Sequence, residues 1–235
     1  MKETKVWEWV VRLNHWLMAV VFVGLLVTIY NKLYAYHFLL GKVMLGLIIF
    51  RVIWGFVGSR QSQFLTGLRS FCLIPSYIGS LFSRKKDATA GHTPLSWLMT
   101  FAILAAVGLQ AFFGLSMQAK GPDGTVYSHE WSPLFQSESL KLIFMELHGE
   151  VMPIVLYVLV GLHIFAVIWY MIFKKQNIAK AMVSGKKNVA EISSRSFSPV
   201  DSGLTARSLV VIVLSVVLTL VLVNIASILG LQLPK

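Results

Sequence analysis

Charge is what this sequence lacks most. Only 13% of its 235 residues are charged, whereas a soluble domain carries about 25%, and hydrophobic residues make up 56%. A soluble globular domain is therefore excluded. The apolar residues form five runs, each long enough to cross about 30 Å of hydrocarbon as a helix. These runs are residues 9–30, 37–58, 95–118, 151–173 and 208–230.

Alternation of polar and apolar residues is also missing from these runs. A membrane β-barrel requires such alternation, so the backbone groups must be satisfied within helices. The sequence therefore predicts an all-α integral membrane protein with five transmembrane helices.

Cysteine is almost absent, since Cys72 is the only one. A single cysteine excludes an internal disulfide and a thiolate cluster, and without C-x-x-C-H no haem can be attached covalently. The chain has no nucleotide-binding loop and no hydrolytic triad either. A self-sufficient catalyst of the soluble type is not expected, and no catalytic residue is assigned.

The net charge of +11 would suit nucleic acid, but its distribution does not. With five spans, the basic clusters fall on one side of the membrane, as the positive-inside rule requires. The N-terminus is therefore predicted to be cytoplasmic and the C-terminus external, with a lipid membrane and no nucleic acid as partner. The clusters are Lys2, Lys5 and Arg12; Arg60, Arg69, Arg84, Lys85 and Lys86; and Lys174, Lys175, Lys180, Lys186, Lys187, Arg195 and Arg207.

Four of the six histidines lie within or at the ends of the predicted spans: His15, His37, His148 and His163. Ionisable side chains are costly there and usually have a partner or a task. By depth, His15 pairs with His163 in the cytoplasmic half, and His37 pairs with His148 in the outer half. Fifteen residues separate the two histidines of span four, which corresponds to about 22 Å and a residual angle of about 60° in a regular helix.

Two facing imidazoles suit a haem iron better than zinc, because zinc usually takes three or four protein ligands. Glycines in the spans would let helices or a flat macrocycle approach closely. Interhelical hydrogen bonds and a proton relay remain alternative roles for the histidines. The glycines are Gly24, Gly41, Gly46, Gly108, Gly114 and Gly161.

Several motifs, in this order, resemble those of the bacterial cytochrome b561 and nickel–iron hydrogenase b-type cytochrome family. They are RLNHW, HFLLGKVMLGLIIFRVIWG, GHTPL, LHGEVMPIVLYVLVGLH and QNIAKAMVSGKK, and the resemblance covers about residues 5–187. It implies a bacterial inner-membrane protein whose four-helix transmembrane bundle holds two non-covalent b haems. The implied ligands are His15 with His163 and His37 with His148.

The same resemblance suggests how the chain is organised. Residues 1–187 would form the di-haem cytochrome b bundle, residues 188–207 a cytoplasmic linker, and residues 208–235 an additional C-terminal transmembrane helix. Lys42 and Arg51, the two cations of span two, would pair with haem propionates, with snorkelling to the headgroups as the alternative. His92 and His129 lie in loops and are interpreted as structural or solvated.

Transmembrane electron transfer between membrane quinone or quinol and a periplasmic redox partner is the function expected from this resemblance. The partner would be a periplasmic cytochrome or an oxidoreductase subunit, and quinone is a second candidate ligand. The alternative is a haem-bearing anchor subunit of a larger oxidoreductase complex such as a hydrogenase. A third hypothesis is a proton-coupled transporter. Whether the chain is an enzyme subunit or a pure electron-transfer protein stays open.

The orientation can be tested by cysteine labelling in a Cys72→Ser background. Ser137→Cys should react with a membrane-impermeant maleimide added to intact cells, and Ser193→Cys should react only after lysis, because the basic clusters hold residues 174–207 inside. Labelling of Ser193→Cys in intact cells would contradict this orientation.

Overall fold

The structure is a computed structural model that describes residues 3–84, 86–89, 91–120, 126–128, 130–135, 137–188, 204–229 and 231. Helices dominate these residues, with short strands between them. The helices are α1 (Trp9–Tyr30), α2 (Tyr34–Val57), α3 (Phe64–Ser70), α4 (Ile74–Leu81), α5 (Pro94–Ser116), α6 (Glu138–Glu146), α7 (Met152–Ile172), α8 (Ile178–Ser184), α9 (Leu204–Val223) and α10 (Ile225–Ile228). The strands are β1 (Glu3–Lys5), β2 (Gln118–Lys120), β3 (Val126–Ser128) and β4 (Lys186–Asn188).

Five helical segments among the described residues are long and apolar enough to cross a membrane. They confirm the five predicted spans. The first three agree with the apolar runs to within a few residues, whereas the fifth runs from Thr205 to Val223 and ends before its predicted end at residue 230. Span three begins as the sequence GHTPL suggests, because Pro94 opens α5 and the Thr93 hydroxyl accepts the Ser96 N–H at 3.2 Å. A side chain that accepts a free N–H of the first turn stabilises a helix start.

The fourth span is longer than predicted. It was expected over residues 151–173, but the helical segment runs 35 residues from Glu138 to Ile172. Polar residues end the apolar run on the outer side, yet the helix continues through α6, where Ser137 caps the start by accepting the Leu140 N–H. At roughly 1.5 Å per residue this segment exceeds the hydrocarbon thickness. His148 therefore lies inside the helix and not at its start.

A π-helical turn, Leu147–Val151, joins α6 to α7. Its N–H···O pattern is visible at Met152, whose N–H donates to the Leu147 carbonyl five residues back. Pro153 follows directly and has no N–H to donate, so the regular ladder cannot form across this point. The angle predicted between His148 and His163 assumed a regular helix, and this turn interrupts that regularity at His148.

A connector of mostly short helices follows α2. It forms α3, a 3₁₀ turn at Phe71–Leu73, and α4, with Pro75 in the first turn of α4. Gly67 does not break α3. It lies against Trp97, where a Cβ would come within 2.5 Å of the indole ring, so this glycine permits close packing of the connector on α5.

The residues divide into two compact units. The first comprises Met1–Leu17, Phe50–Ile103 and Leu159–Ile212, and the second comprises Met18–Ile49, Leu104–Val158 and Val213–Lys235. Each of the five spans contributes one section to each unit.

The fifth span belongs to the packing of both units. In the first unit, Val211 of α9 is buried in a cluster formed with residues of α1 and α2, including the stacked rings of Phe50 and Trp54. In the second unit, the Trp131 indole N–H donates to the Leu222 carbonyl at 2.6 Å. A carbonyl in the last turn of a helix has no partner within it, so this bond caps α9.

Two polar clusters hold the first unit together near the connector. In one, Asp87 accepts hydrogen bonds from the Tyr77 hydroxyl at 2.6 Å and from the fully buried Lys174 ammonium at 3.4 Å. In the other, the buried Glu8 carboxylate accepts the Ser59 N–H at 2.8 Å and the Ser62 hydroxyl at 2.7 Å. Both clusters attach the residues around α3 and α4 to the membrane helices.

Replacing Ser62 with alanine should lower the stability of the protein. The hydroxyl lies fully buried against Glu8, and removing one partner of a buried charged group costs about 1–3 kcal/mol. We expect a lower midpoint of thermal unfolding in detergent. Ser76→Ala is the control, because this exposed hydroxyl donates only to Leu73 within its own turn. Equal midpoints for the two variants would contradict the assignment.

Candidate functional site

The structure brings together the same two histidine pairs that depth predicted. His15 on α1 and His163 on α7 face each other in the first unit, with ring centroids 6.2 Å apart. His37 on α2 and His148 in the π-helical turn face each other in the second unit, also at 6.2 Å. The planes of the rings are inclined by 53° in the first pair and 85° in the second.

His37 and His148, called the outer pair after the membrane side predicted for them, are held by hydrogen bonds to backbone carbonyls. His148 Nδ1 lies 2.9 Å from the Gln110 carbonyl, and His37 Nδ1 lies 3.1 Å from the Leu25 carbonyl. A carbonyl can only accept, so Nδ1 carries the proton in each ring. The Nε2 atom of each neutral ring then keeps its lone pair, as a metal ligand requires.

His15 and His163, called the inner pair on the same basis, have a different environment. His15 Nδ1 is buried and has no hydrogen-bond partner, and the ring makes an edge contact with Trp16 at 5.1 Å. A buried polar atom without a partner is costly and calls for an explanation. An imidazole left this free inside a helix bundle is able to bind a metal or another group.

Gly114 of α5 lies directly against the outer pair. A Cβ at this position would come within 2.6 Å of His148 Cε1, closer than real Cβ atoms come to their neighbours. Of the glycines predicted to allow close approach, this one contacts a histidine ring. Gly24 and Gly46 face Leu40 and Thr219 instead, and a Cβ at Gly41, Gly108 or Gly161 would meet nothing within 4 Å.

The two cations of span two have different surroundings. Arg51 is buried, and both of its terminal nitrogens lie 3.5 Å from the Ser62 carbonyl, at the limit of a hydrogen bond. Its guanidinium also lies 4.9 Å from the centre of the Phe64 ring. Lys42 forms an ion pair with Glu130. Its predicted role as a propionate partner therefore has to compete with a carboxylate of the chain itself.

Of the two loop histidines, His92 lies between the rings of Trp7 and Trp97, at 4.7 and 4.6 Å. Burial lowers the pKa of His92 to about 3, and the nearby charge of Arg51 adds to this effect. The ring is therefore neutral at physiological pH and packs as an aromatic group, in keeping with its structural interpretation. His129 lies outside the described residues.

Each pair offers two imidazoles and no further ligand. Among the described residues, no group of three or more His, Cys, Asp or Glu side chains could hold a metal ion. A bare zinc ion usually takes three or four protein ligands. The arrangement therefore suits a metal that brings its other ligands with it.

The profile described as prokaryotic cytochrome b561 matches residues 6–185. The chain belongs to the prokaryotic cytochrome b561 family. The resemblance expected from the sequence motifs is thereby confirmed. No curated protein and no solved structure matches the chain.

Family membership implies b-type haem and transmembrane electron transfer. With its five apolar helices, the cytochrome is a multi-pass bacterial membrane protein. The match ends at residue 185, so α9 lies beyond the matched region although it packs in both units.

Apart from Gly108 and Gly114, no residue of α5 was expected at a haem site, because this helix contains no histidine. The structure shows that this helix supplies both the carbonyl of Gln110 and the surface of Gly114 to the outer pair. One signal was present, since Gln110 is a single amide within the apolar stretch FAILAAVGLQAFFG. A polar side chain at such a position usually has a partner on another helix.

Gly114→Ala should disturb the outer pair and leave the inner one intact. The added methyl group overlaps the His148 ring, so the ring must leave its position. In purified protein we expect loss or altered absorption of one b haem. Gly108→Ala on the same helix is the matched control, since a Cβ there meets nothing within 4 Å. Identical spectra for the two variants would show that the contact is unimportant.

Proposed function

We propose that this cytochrome transfers electrons across the membrane with two b haems, one bound between His15 and His163 and the other between His37 and His148. The observation that carries the proposal is the shared ring separation of 6.2 Å in two histidine pairs from different helices. Electrons would pass between membrane quinone or quinol and a redox partner on the outer face.

The ring separation fits the size of the implied group. An iron between two imidazoles needs metal–nitrogen bonds of about 2.0 Å, and each nitrogen lies roughly 1.1 Å from its ring centre, which places the ring centres about 6 Å apart. Both pairs have this spacing. A direct hydrogen bond between two imidazoles would also bring them close, but it needs an N–H, and the Nδ1–H groups of the outer pair are directed at carbonyls.

Haem iron, when bound, supplies a reversible one-electron couple. Each histidine pair would hold one haem iron through its two imidazoles. The apolar side chains of the spans keep water away from the rings, which favours electron transfer over side reactions. The carbonyls of Leu25 and Gln110 hold the outer rings in the tautomer that binds metal.

Arg51 would bind a propionate of the inner haem. Its guanidinium is buried, its hydrogen bonds to the Ser62 carbonyl are long, and the nearby Glu8 carboxylate already accepts from Ser59 and Ser62. A propionate would therefore gain a strong two-point partner. Lys42 would bind a propionate of the outer haem only by exchanging its partner Glu130. This difference supports Arg51 more strongly than Lys42.

The charge distribution supports a cytoplasmic N-terminus and a periplasmic C-terminus in the bacterial inner membrane. Residues 1–187 would form the haem-binding part, with residues 188–207 as a cytoplasmic linker and 208–235 as the added helix. Most of the linker, residues 189–203, lies outside the described residues.

An anchor subunit of a larger oxidoreductase is the second candidate function. It is favoured by the described residues between α5 and α6, where β2 pairs with β3 and Ser132 is fully buried. A folded outer surface suits the docking of a periplasmic cytochrome or an oxidoreductase subunit. Co-purification of a stoichiometric partner would favour this role over that of a free carrier.

The purified protein should show a b-type reduced-minus-oxidised spectrum with two haems per chain, and a quinol should reduce it. Single replacement of any of the four histidines by alanine should leave one haem, because each pair holds one group. His15→Ala with His163→Ala should still leave one haem, since both changes affect the same site. His148→Ala with His163→Ala should leave none.

His129→Ala serves as the control and should retain both haems, because no ligand role is assigned to this loop residue. The proposal fails if the double replacement of His15 and His163 removes both haems while each single replacement removes a spectroscopically different one. That result would mean that these two rings belong to separate sites.

A further inference from the structure

The carbonyl of His148 has no main-chain donor in its own helix. In a regular α-helix it would accept the N–H of residue 152, but the Met152 N–H donates to Leu147. In a continued π-helical pattern it would accept the N–H of residue 153, and Pro153 has none. The π-helical turn and the proline together leave this carbonyl free.

Gln110 of α5 supplies the missing donor. Its side-chain Nε2 lies 2.9 Å from the His148 carbonyl. The orientation of the amide is fixed, because the carbonyl can only accept and must therefore face the nitrogen. The bond joins α5 to the turn that carries His148.

The same residue also accepts a hydrogen bond from the His148 ring. The main-chain carbonyl of Gln110 accepts the His148 Nδ1–H at 2.9 Å. Two hydrogen bonds of equal length therefore link the two residues in opposite directions. One bond holds the backbone of His148 and the other holds its ring. Together they restrict both the position and the rotation of the imidazole.

Packing alone would not select glutamine here. The side-chain oxygen Oε1 of Gln110 is buried and has no hydrogen-bond partner, which is unfavourable in an apolar helix. A methionine or leucine would fill the same space without that unsatisfied oxygen. The amide therefore has a role that depends on its N–H groups.

We propose that Gln110 is the positioning residue of the outer haem site, holding His148 so that Nε2 is the ligating atom and keeping its Nδ1–H on a carbonyl. This inference rests on the proposed function, in which His148 is a haem ligand. A hydrogen bond from Nδ1–H makes an imidazole a more basic ligand, and a more basic ligand stabilises ferric over ferrous iron. The acceptor is the main-chain carbonyl of residue 110, so the Gln110 amide acts indirectly: by holding the His148 backbone it keeps Nδ1–H aligned with that carbonyl and thereby lowers the midpoint potential of the outer haem.

The test uses the full-length purified protein with Gln110→Met, which keeps the side-chain length and removes the donor. Haem per chain, the low-spin electron paramagnetic resonance signals and the midpoint potential of each haem are measured. We expect a higher potential and an altered signal for the outer haem, and about a tenfold or greater weakening of its retention. The inner haem should be unchanged.

Leu109→Met is the matched control, because it places the same side chain on the preceding residue of α5, which is exposed. It should leave both haems as in the unaltered protein. Unchanged signals and potentials in Gln110→Met would overturn the inference. His148→Ala separates this result from a failure of the proposed function, since retention of both haems in that variant would show that His148 is not a ligand.

Pro153→Ala is a second variant, which tests whether the missing N–H of residue 153 is the reason that the His148 carbonyl needs Gln110. It restores a main-chain N–H near the His148 carbonyl, so replacing Gln110 should have a smaller effect on the outer haem in this background. If Gln110→Met does not accumulate as folded protein, accumulation of the double variant supports the inference. The inference is contradicted if Gln110→Met changes the outer haem equally in the unaltered protein and in Pro153→Ala. It is also contradicted if Pro153→Ala folds but the double variant does not.

Discussion

An imidazole inside an apolar helix has two ring nitrogens that must be satisfied without water, and this requirement shapes the helices around each histidine pair. In the outer pair, one nitrogen of each ring is satisfied by a carbonyl on another part of the chain, Leu25 for His37 and Gln110 for His148. The remaining nitrogens have a lone pair to offer. A metal that supplies its own equatorial ligands satisfies both at once, which makes haem the simplest partner for a site of two histidines.

The two pairs meet this requirement differently. The outer rings are anchored through Nδ1, and the π-helical turn and Gly114 fit closely around His148. In the inner pair, His15 Nδ1 has no hydrogen-bond partner. Because hydrogen bonds from a ligating imidazole change its basicity, this contrast gives two proposed haem sites with the same ligand type a physical reason to differ in potential. A difference in potential is what directs an electron along a chain of two carriers.

The buried charges follow the same logic of partners. Glu8 is stabilised by a backbone N–H and a hydroxyl from the residues after α2, and Lys174 by Asp87 and by the faces of Tyr77 and Tyr170. Arg51 differs, because its hydrogen bonds to the Ser62 carbonyl are long and the nearby Glu8 carboxylate is already bonded to Ser59 and Ser62. A buried guanidinium with weak partners can still gain a carboxylate at small cost, whereas Lys42 already has Glu130. The sequence named both cations and favoured Arg51 by its depth, but the partners that each cation already has are visible only in the structure.

Long apolar runs and histidine spacing were enough to predict the spans and the pairs, because both depend only on helix length and depth. The contacts that position the rings could not be predicted from the sequence, because they join residues far apart in the chain. Gln110 and His148 are 38 positions apart. The sequence shows that Pro153 has no N–H, but the carbonyl that loses a donor is identified only once the Met152 N–H is known to bond to Leu147. The free carbonyl then explains why a glutamine stands in the middle of an apolar helix that has no histidine of its own.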